Sequence, residues 1–237
     1  LRSVPIKILN DHAKRSTFSL DQVDWSAKIN LGLNWMPNAI VPVSYLPSFS
    51  RLEAIEQVRF NQLYALYICE QFIWFEQELI TPVLQKIIAT QKLSSDLETL
   101  LKTFVSEELR HSEMFRRVLR LADPQKYRNS DKYFLDIPPV SAGLFSLMLK
   151  NPNTLIVWNW LGIYFEERTI HISKIYRDQS DKVDPTFRHC HLLHMIDEAR
   201  HLQIDQYFLE HFYNGQPKWK KAVSGFLLEI MVKAYSR

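Results

Sequence analysis

The sequence predicts an all-α protein: a bundle of four long helices with extra helices around it and an irregular N-terminal arm. Nearly half of the 237 residues are hydrophobic and only 5 are glycine, which disfavours a turn-rich β architecture. From Ser50 onward, apolar residues recur at helical spacing through four separate long stretches. Polar or proline-bearing connections divide them, and a chain of this length accommodates one domain with one sizeable core. The expected organisation is a single domain over 1–237, with the arm at 1–50, the bundle at 51–213 and a C-terminal helix at 217–237.

The arm carries prolines at 5, 37, 42 and 47 and no sustained period, and its aromatics Trp25, Trp35 and Tyr45 are expected to pin it to the surface. The first long helix runs through "RLEAIEQVRFNQLYALYICEQFIWFEQELITPVLQKIIATQK", and Pro82 should kink it rather than end it, because the apolar period continues beyond. "LSSD" is a turn in which Ser95 or Asp96 can cap the second helix, "LETLLKTFVSEELRHSEMFRRVLRL". A polar connection, "ADPQKYRNSDKYFLDIPPV", precedes a short helix around "AGLFSLMLK" and a third long helix in "NTLIVWNWLGIYFEERTIHISKIYR". Asp184 as cap and Pro185 at the first position open the fourth, from about Thr186 to Tyr213, and "KWKKAVSGFLLEIMVKAY" forms the last helix.

The formal charge of +3 is spread along the chain, unlike the concentrated basic stripe that binds a phosphate backbone, so nucleic acid is not an expected partner. No apolar run is long enough to span a bilayer, and no basic segment followed by an apolar one opens the chain. Cys69 and Cys190 each sit inside an apolar helical pattern, as small buried side chains in a reducing cytoplasm do. A soluble cytoplasmic protein is the expectation.

Two short strings interrupt this apolar pattern. "EELRH" in the second helix and "DEARH" in the fourth are near copies, and each places a Glu and a His three residues apart on one helix face: Glu108 with His111, Glu198 with His201. A single Glu-x-x-His is common by chance; two copies on otherwise apolar inward faces are not. A carboxylate buried beside an imidazole is costly, and a divalent cation is the strongest available compensation. Each remaining helix should then supply one carboxylate. In the first, Glu76 lies on the stripe of Cys69, Phe72, Ile73, Leu79, Ile80 and Val83, whereas Glu70 shares its face with Gln77 and Thr81, which favours Glu76. In the third, Ile156, Trp160, Ile163, Tyr164 and Ile170 bracket Glu167, while Glu166 turns toward Asn159 and Ser173, which favours Glu167. The intervals from Glu76 to Glu108 and from Glu167 to Glu198 are 32 and 31 residues, as two helical hairpins facing one site require. This is the ferritin-like di-iron carboxylate plan, with one Glu from each of two helices and Glu-x-x-His from each of the others.

"HMIDEARH" adds a third imidazole. His194, Glu198 and His201 stand at i, i+4 and i+7, within about 60° of one another at about 100° per residue, so His194 should face the same site. Glu107 and Asp197 either bond the outer ring nitrogens across the bundle or lie exposed at the surface. Arg110 and Arg200 either pair with such acids or are solvated, and His171, His189 and His191 are not expected to be ligands.

The chain resembles the di-iron N-oxygenase family typified by p-aminobenzoate N-oxygenase. The resemblance rests on "FSLDQVDWSAKINLGLNWMP", "FIWFEQELITPVL", "SEELRHSEMF" and above all "HMIDEARH", whose extra His distinguishes the family from other ferritin-like proteins. It implies Glu76, Glu108, His111, Glu167, His194, Glu198 and His201 as ligands of two iron ions, or of a manganese–iron pair, with O2 as cosubstrate. It further implies oxidation of an arylamine to hydroxylamine and nitro products, a small-molecule substrate, an electron donor and a homodimer. Trp74, Phe75, Trp158, Trp160, Tyr164 and Phe165 are the candidate pocket walls. The alternatives are a di-iron protein that oxidises a nearby tyrosine (Tyr67 or Tyr164) or a C–H bond, and a non-enzymatic iron-binding bundle.

Overall fold

The computed structural model describes residues 4–137, 139–150, 155–179 and 183–235. Its helices are α1 (Ile6–Ser16), α2 (Ala54–Trp74), α3 (Thr81–Thr90), α4 (Ser95–Ala122), α5 (Pro139–Lys150), α6 (Leu155–Asp178), α7 (Pro185–Phe208) and α8 (Lys218–Tyr235). Among the described residues the only β-type pairing is an isolated bridge between Asn34 and Val183, and no helix is long and apolar enough to cross a membrane.

α2 and α3 are one rod joined through a π-helical turn, Phe75–Ile80. Pro82 explains the widening: it has no N–H to donate, and its ring would collide with the carbonyl four residues back. The backbone opens instead, and Thr81 N–H donates to Glu76 O, five residues earlier. This rod packs antiparallel to α4, α6 packs on α7, and α4 meets α7 across the bundle. α5 lies against α3 and α8 against α6.

Capping follows side-chain chemistry. Asp184 accepts from the N–H groups of Thr186 and Phe187 at 2.9 and 3.2 Å, and its second oxygen accepts from Asn30 N–H at 2.8 Å. At α4 the cap is Ser94, one residue before the expected Ser95, and its hydroxyl accepts from Leu97 N–H at 3.3 Å.

The arm departs from expectation at its start, where residues 6–16 are regular helix packed on α4 and α7. Only Leu9 and Ala13 of α1 are fully buried. A stripe so narrow, without a capping side chain, leaves little periodic signal. The rest of the arm runs through short 3-10 turns. Trp35 is buried and stacks on Phe187 at 5.0 Å. Asn61 of α2 accepts from the N–H groups of Trp35 and Met36 and donates to Met36 O. Tyr45, by contrast, is 71% exposed, and its hydroxyl donates to Ala39 O at 3.0 Å, within the arm itself.

Two apolar clusters result. One gathers Trp35, Cys69, Phe72, Phe115, Tyr176, Phe187 and Cys190 among others. The other gathers Trp74, Phe75, Leu79, Phe104, Trp158, Phe165 and Phe208. Both cysteines are unpaired and buried.

Glu70 belongs to this framework. It is fully buried, and it accepts from the Tyr127 hydroxyl at 2.6 Å and from the N–H groups of Phe134 and Leu135 at 2.8 and 2.7 Å, so it ties down the connection after α4. Glu70→Ala would strand one buried and two partly buried donors and should cost on the order of 3 kcal/mol. Urea unfolding should show that loss while the folded variant still binds metal; loss of metal with unchanged stability would contradict this role.

Candidate metal centre

Glu76, Glu108, His111, His194, Glu198 and His201 are each at most 3% exposed. Their donor atoms form two overlapping groups: Glu76, His111, His194 and Glu198 in one, and Glu108, His111, Glu198 and His201 in the other, each spanning no more than 4.8 Å. His111 belongs to both, and so does Glu198. Its Oε1 lies 2.6 Å from His194 Nε2 and 3.2 Å from His111 Nδ1, and its Oε2 lies 3.7 Å from His201 Nδ1. His194 Nε2 is also 3.1 Å from Glu76 Oε1, and His201 Nδ1 is 2.8 Å from Glu108 Oε1.

These approaches are not hydrogen bonds. Nδ1 of His111, both nitrogens of His194, Nδ1 of His201 and Oε1 of Glu108 are buried with no hydrogen-bond partner. Ring nitrogens and carboxylate oxygens this close, but not aimed at one another, converge on common points between them. Ligands about 2.1 Å from a cation and at right angles to each other stand about 3 Å apart, which matches the shorter spacings here. The donor set therefore fits a pair of divalent first-row metal ions, with hard carboxylates and imidazoles and no thiolate among the donors.

An outer layer fixes the rings. His111 of α4 donates from Nε2 to Asp197 of α7 at 3.2 Å, and His201 of α7 donates from Nε2 to Glu107 of α4 at 2.9 Å. A carboxylate can only accept, so each ring carries its proton outward and turns Nδ1 to the site. Arg200, 4% exposed, donates to Glu107 at 2.5 Å and to Asp197 at 2.9 Å, bracing both acids at once. Arg110 donates to Asp197 at 2.8 Å, and Ser16 of α1 accepts from Arg200 at 3.0 Å. Ser112 donates to Glu76 at 3.2 Å. The apolar clusters close the layer on both sides: Phe104 stacks on His201 at 3.8 Å, and Phe72 and Phe115 meet His194 edge-on at 5.2 and 5.0 Å.

Charge is unbalanced in this arrangement. Burial, followed by the charges of Glu108 and Glu198, pushes the Glu76 carboxyl well above the ordinary carboxylate range. Burial also opposes ionised Glu198, but the facing imidazoles of His111 and His201 outweigh it and hold this group at about 2. For His111 burial disfavours the cation, yet Asp197 and Glu198 prevail and raise the ring to about 9. His194 is held well below its usual value by burial and then by the neighbouring imidazoles, which makes it a neutral donor.

On α6 the expectation needs correction: Glu167 is exposed, and Glu166 is 3% exposed. The α6–α7 register shows what Glu166 faces. Tyr176 stacks on His191 at 4.1 Å, and a Cβ on Gly162 would lie 2.6 Å from Asp205 Oδ2, so the two helices run in step, 14 residues separating these contacts on each. Glu166 therefore comes level with His201. The misreading has a physical cause: α6 is covered on a second side by α8 and the π-helical turn Leu209–Tyr213. Apolar residues there, such as Trp160 against Tyr213 at 5.8 Å, imitate a core stripe, while the inward Glu166, Thr169 and Ser173 imitate a solvated face. Ile156, part of that reading, has a side chain outside the described residues. Glu166 also stands 32 residues before Glu198, the same interval as Glu76 to Glu108; that equality was the signal available in the sequence.

Of the remaining residues singled out, Trp74, Phe75, Trp158 and Phe165 are buried in one cluster, with Phe75 and Phe165 3.9 Å apart, whereas Trp160 is half-buried and Tyr164 is 38% exposed. Tyr67 is half-buried against Tyr64. His191 is buried between Tyr176, Phe72 and Phe115 and joins neither donor group. Asp205 is a buried acid that sequence reasoning passed over; Asn159 donates to its Oδ1 at 2.9 Å, and its Oδ2 has no partner.

A helical bundle whose two facing helices each carry an inward Glu-x-x-His, backed by crossed carboxylates, is of the ferritin-like carboxylate class. Within that class the family model of p-aminobenzoate N-oxygenase AurF matches residues 3–237, and the chain belongs to this family. No curated protein matches it.

Two outcomes are expected. Glu166→Ala should weaken divalent-metal binding at least about tenfold, while Glu167→Ala leaves it unchanged; anaerobic titration with Fe(II) compares them, and the reverse order would restore Glu167. Because His111, raised to about 9, keeps its second proton at neutral pH, a cation must displace that proton. Metal affinity should rise as pH increases toward the His111 value of about 9, with proton release measurable by calorimetry in buffers of different ionisation enthalpy. An affinity independent of pH would contradict the assignment.

Proposed function

We propose that this protein is a di-iron oxygenase that uses O2 to oxidise the nitrogen of a small arylamine. The observation that carries this reading is the set of buried, unpartnered donor atoms on Glu108, His111, His194 and His201 converging between α4 and α7; membership of the N-oxygenase family supports the reaction type. A manganese–iron pair would fit the same donors.

Held by Glu76, Glu108, His111, His194, Glu198 and His201, a pair of iron ions would supply redox chemistry: the two electrons that, with two protons, let O2 give one oxygen atom to an amine nitrogen and the other to water, an external donor restoring the electrons. The chain's own residues do the rest. Glu198 belongs to both donor groups and would offer a carboxylate oxygen to each. Glu107 and Asp197 keep the outer nitrogens of His201 and His111 protonated and make the inner ones better donors. His194, neutral, adds a donor without adding charge. Phe75, Trp158 and Phe165 provide an apolar, aromatic surrounding suited to a flat ring. The unpartnered Trp158 Nε1 and Asp205 Oδ2 are polar groups that a substrate's hydrogen-bonding end could satisfy. Unpaired Cys69 and Cys190 suit a reducing compartment such as the cytoplasm.

The test is anaerobic loading with Fe(II), followed by rapid mixing with 18O2 and an arylamine such as p-aminobenzoate. The expected result is two irons per chain, a transient visible absorption and 18O-labelled hydroxylamine in the quenched mixture. His194→Ala should alter the transient and suppress the product. Uptake of many irons per chain without labelled product would replace this reading with iron storage.

A further inference from the structure

A cleft between α1 and α7 lies outside both donor groups. His12 and Arg15 of α1 and Ile196, Ala199, Arg200 and Gln203 of α7 line its volume of about 240 Å³. The α7 residues recur at i, i+3, i+4 and i+7, so one face of that helix forms a wall, opened in its middle by the short side chain of Ala199. The ionisable side chains of the cleft are all basic, and among the described residues no carboxylate lines it. The side chains of His12, Arg15 and Gln203 have no hydrogen-bond or ion-pair partner among the described residues. Water is partner enough for His12 and Arg15, which are exposed. It is not for Arg200, which is only 4% exposed. Three of its five N–H groups are taken, by Ser16, Glu107 and Asp197, while its Nε is buried without a partner. A buried donor left unpaired is uncommon enough to point to an acceptor that completes it.

We propose that this cleft binds the carboxylate of a short aliphatic acid, held between Arg15 and Arg200 with its apolar body along Ile196 and Ala199. Charge selects the ligand. Arg110 and Arg200 are balanced by Glu107 and Asp197, which leaves Arg15 as one uncompensated positive charge at the cleft. A monoanion neutralises it, whereas a phosphate dianion would bring a second charge that nothing offsets. Guanidinium groups also match a planar carboxylate in bidentate fashion. Size agrees: the volume lies below the roughly 300–1,000 Å³ of pockets for drug-sized ligands, and the exposed apolar wall is aliphatic, with Ile196 at 42%. The cleft is connected to the metal centre, because Arg200 donates to both carboxylates that hold the outer nitrogens of His201 and His111. An anion that draws on Arg200 leaves more negative charge on Glu107 and Asp197, strengthens both imidazoles as donors and adds its own attraction for a cation. The acid and a divalent metal therefore raise one another's affinity by the same factor.

Binding of the acid is independent of the oxygenase reading, and only its coupling requires the metal centre. The probe is 4,4,4-trifluorobutyrate, titrated into the metal-free full chain and followed by 19F NMR. A saturable shift with a Kd on the order of 1 mM is expected, with no binding of the neutral amide of the same acid. Arg15→Gln should weaken binding at least about tenfold, and Ile196→Glu, which places a carboxylate in the cleft, should abolish it; both side chains are exposed, so neither change disturbs the core. Inorganic phosphate should not displace the probe at equal concentration. In anaerobic Fe(II) titrations the saturating acid should tighten metal binding severalfold in the wild type and not in Arg15→Gln, a contrast that separates the cleft from direct ligation of iron by the acid. No saturable shift, binding that survives both substitutions, equal binding of the amide, or stronger binding of phosphate would each overturn the carboxylate site. An Fe(II) affinity indifferent to the acid, or shifted equally in Arg15→Gln, would overturn the coupling.

Discussion

The arrangement depends on one physical constraint: two carboxylates and an arginine, all buried, must be paired at once. Glu107 and Asp197 each receive a ring N–H from the opposite helix, and Arg200 spans both. Removed from water, none of these charges is tolerable alone; together they form a closed network that cross-links α4 to α7. The inner layer inherits its geometry from this outer one. Because the outer nitrogens are committed, the inner nitrogens have only one direction left, and the imidazoles point where the glutamates point.

The N-terminal arm takes part in the same network. Ser16 accepts from Arg200, Thr17 donates to Glu107 at 3.4 Å, and Phe18 lies parallel to His111 at 5.7 Å. Arg110 sits over the Phe18 ring at 4.7 Å. A segment with almost no periodic signal is thus the cover that keeps water from the outer carboxylates, and its contribution comes from contacts 90 or more residues away in sequence.

What the sequence disclosed follows the same division. Two Glu-x-x-His strings on apolar helices, and His194 one turn ahead of the second, are local patterns, and the helix geometry needed to interpret them is fixed. The place of Glu76 among the buried donors was also legible, since the apolar stripe continues through it. α1 was hidden because two buried residues make no period, and Glu166 because α6 is wrapped on more than one side. Buried polar residues then look exposed, and half-buried aromatics look like core. The use of Glu70 was invisible for a different reason: its partners Tyr127, Phe134 and Leu135 lie in a connection that has no pattern of its own.

The π-helical turn at Phe75–Ile80 gives the rod that contains it two angular phases. Up to Ile73, the buried residues of α2 feed the cluster around Trp35 and Phe187; from Trp74 onward, those of the turn and α3 feed the cluster around Trp158 and Phe208. A uniform α-helix would carry one stripe straight through and serve one core. By slipping its phase beside Glu76, a single continuous rod serves as a wall for both, and the polar layer occupies the seam where the phase changes.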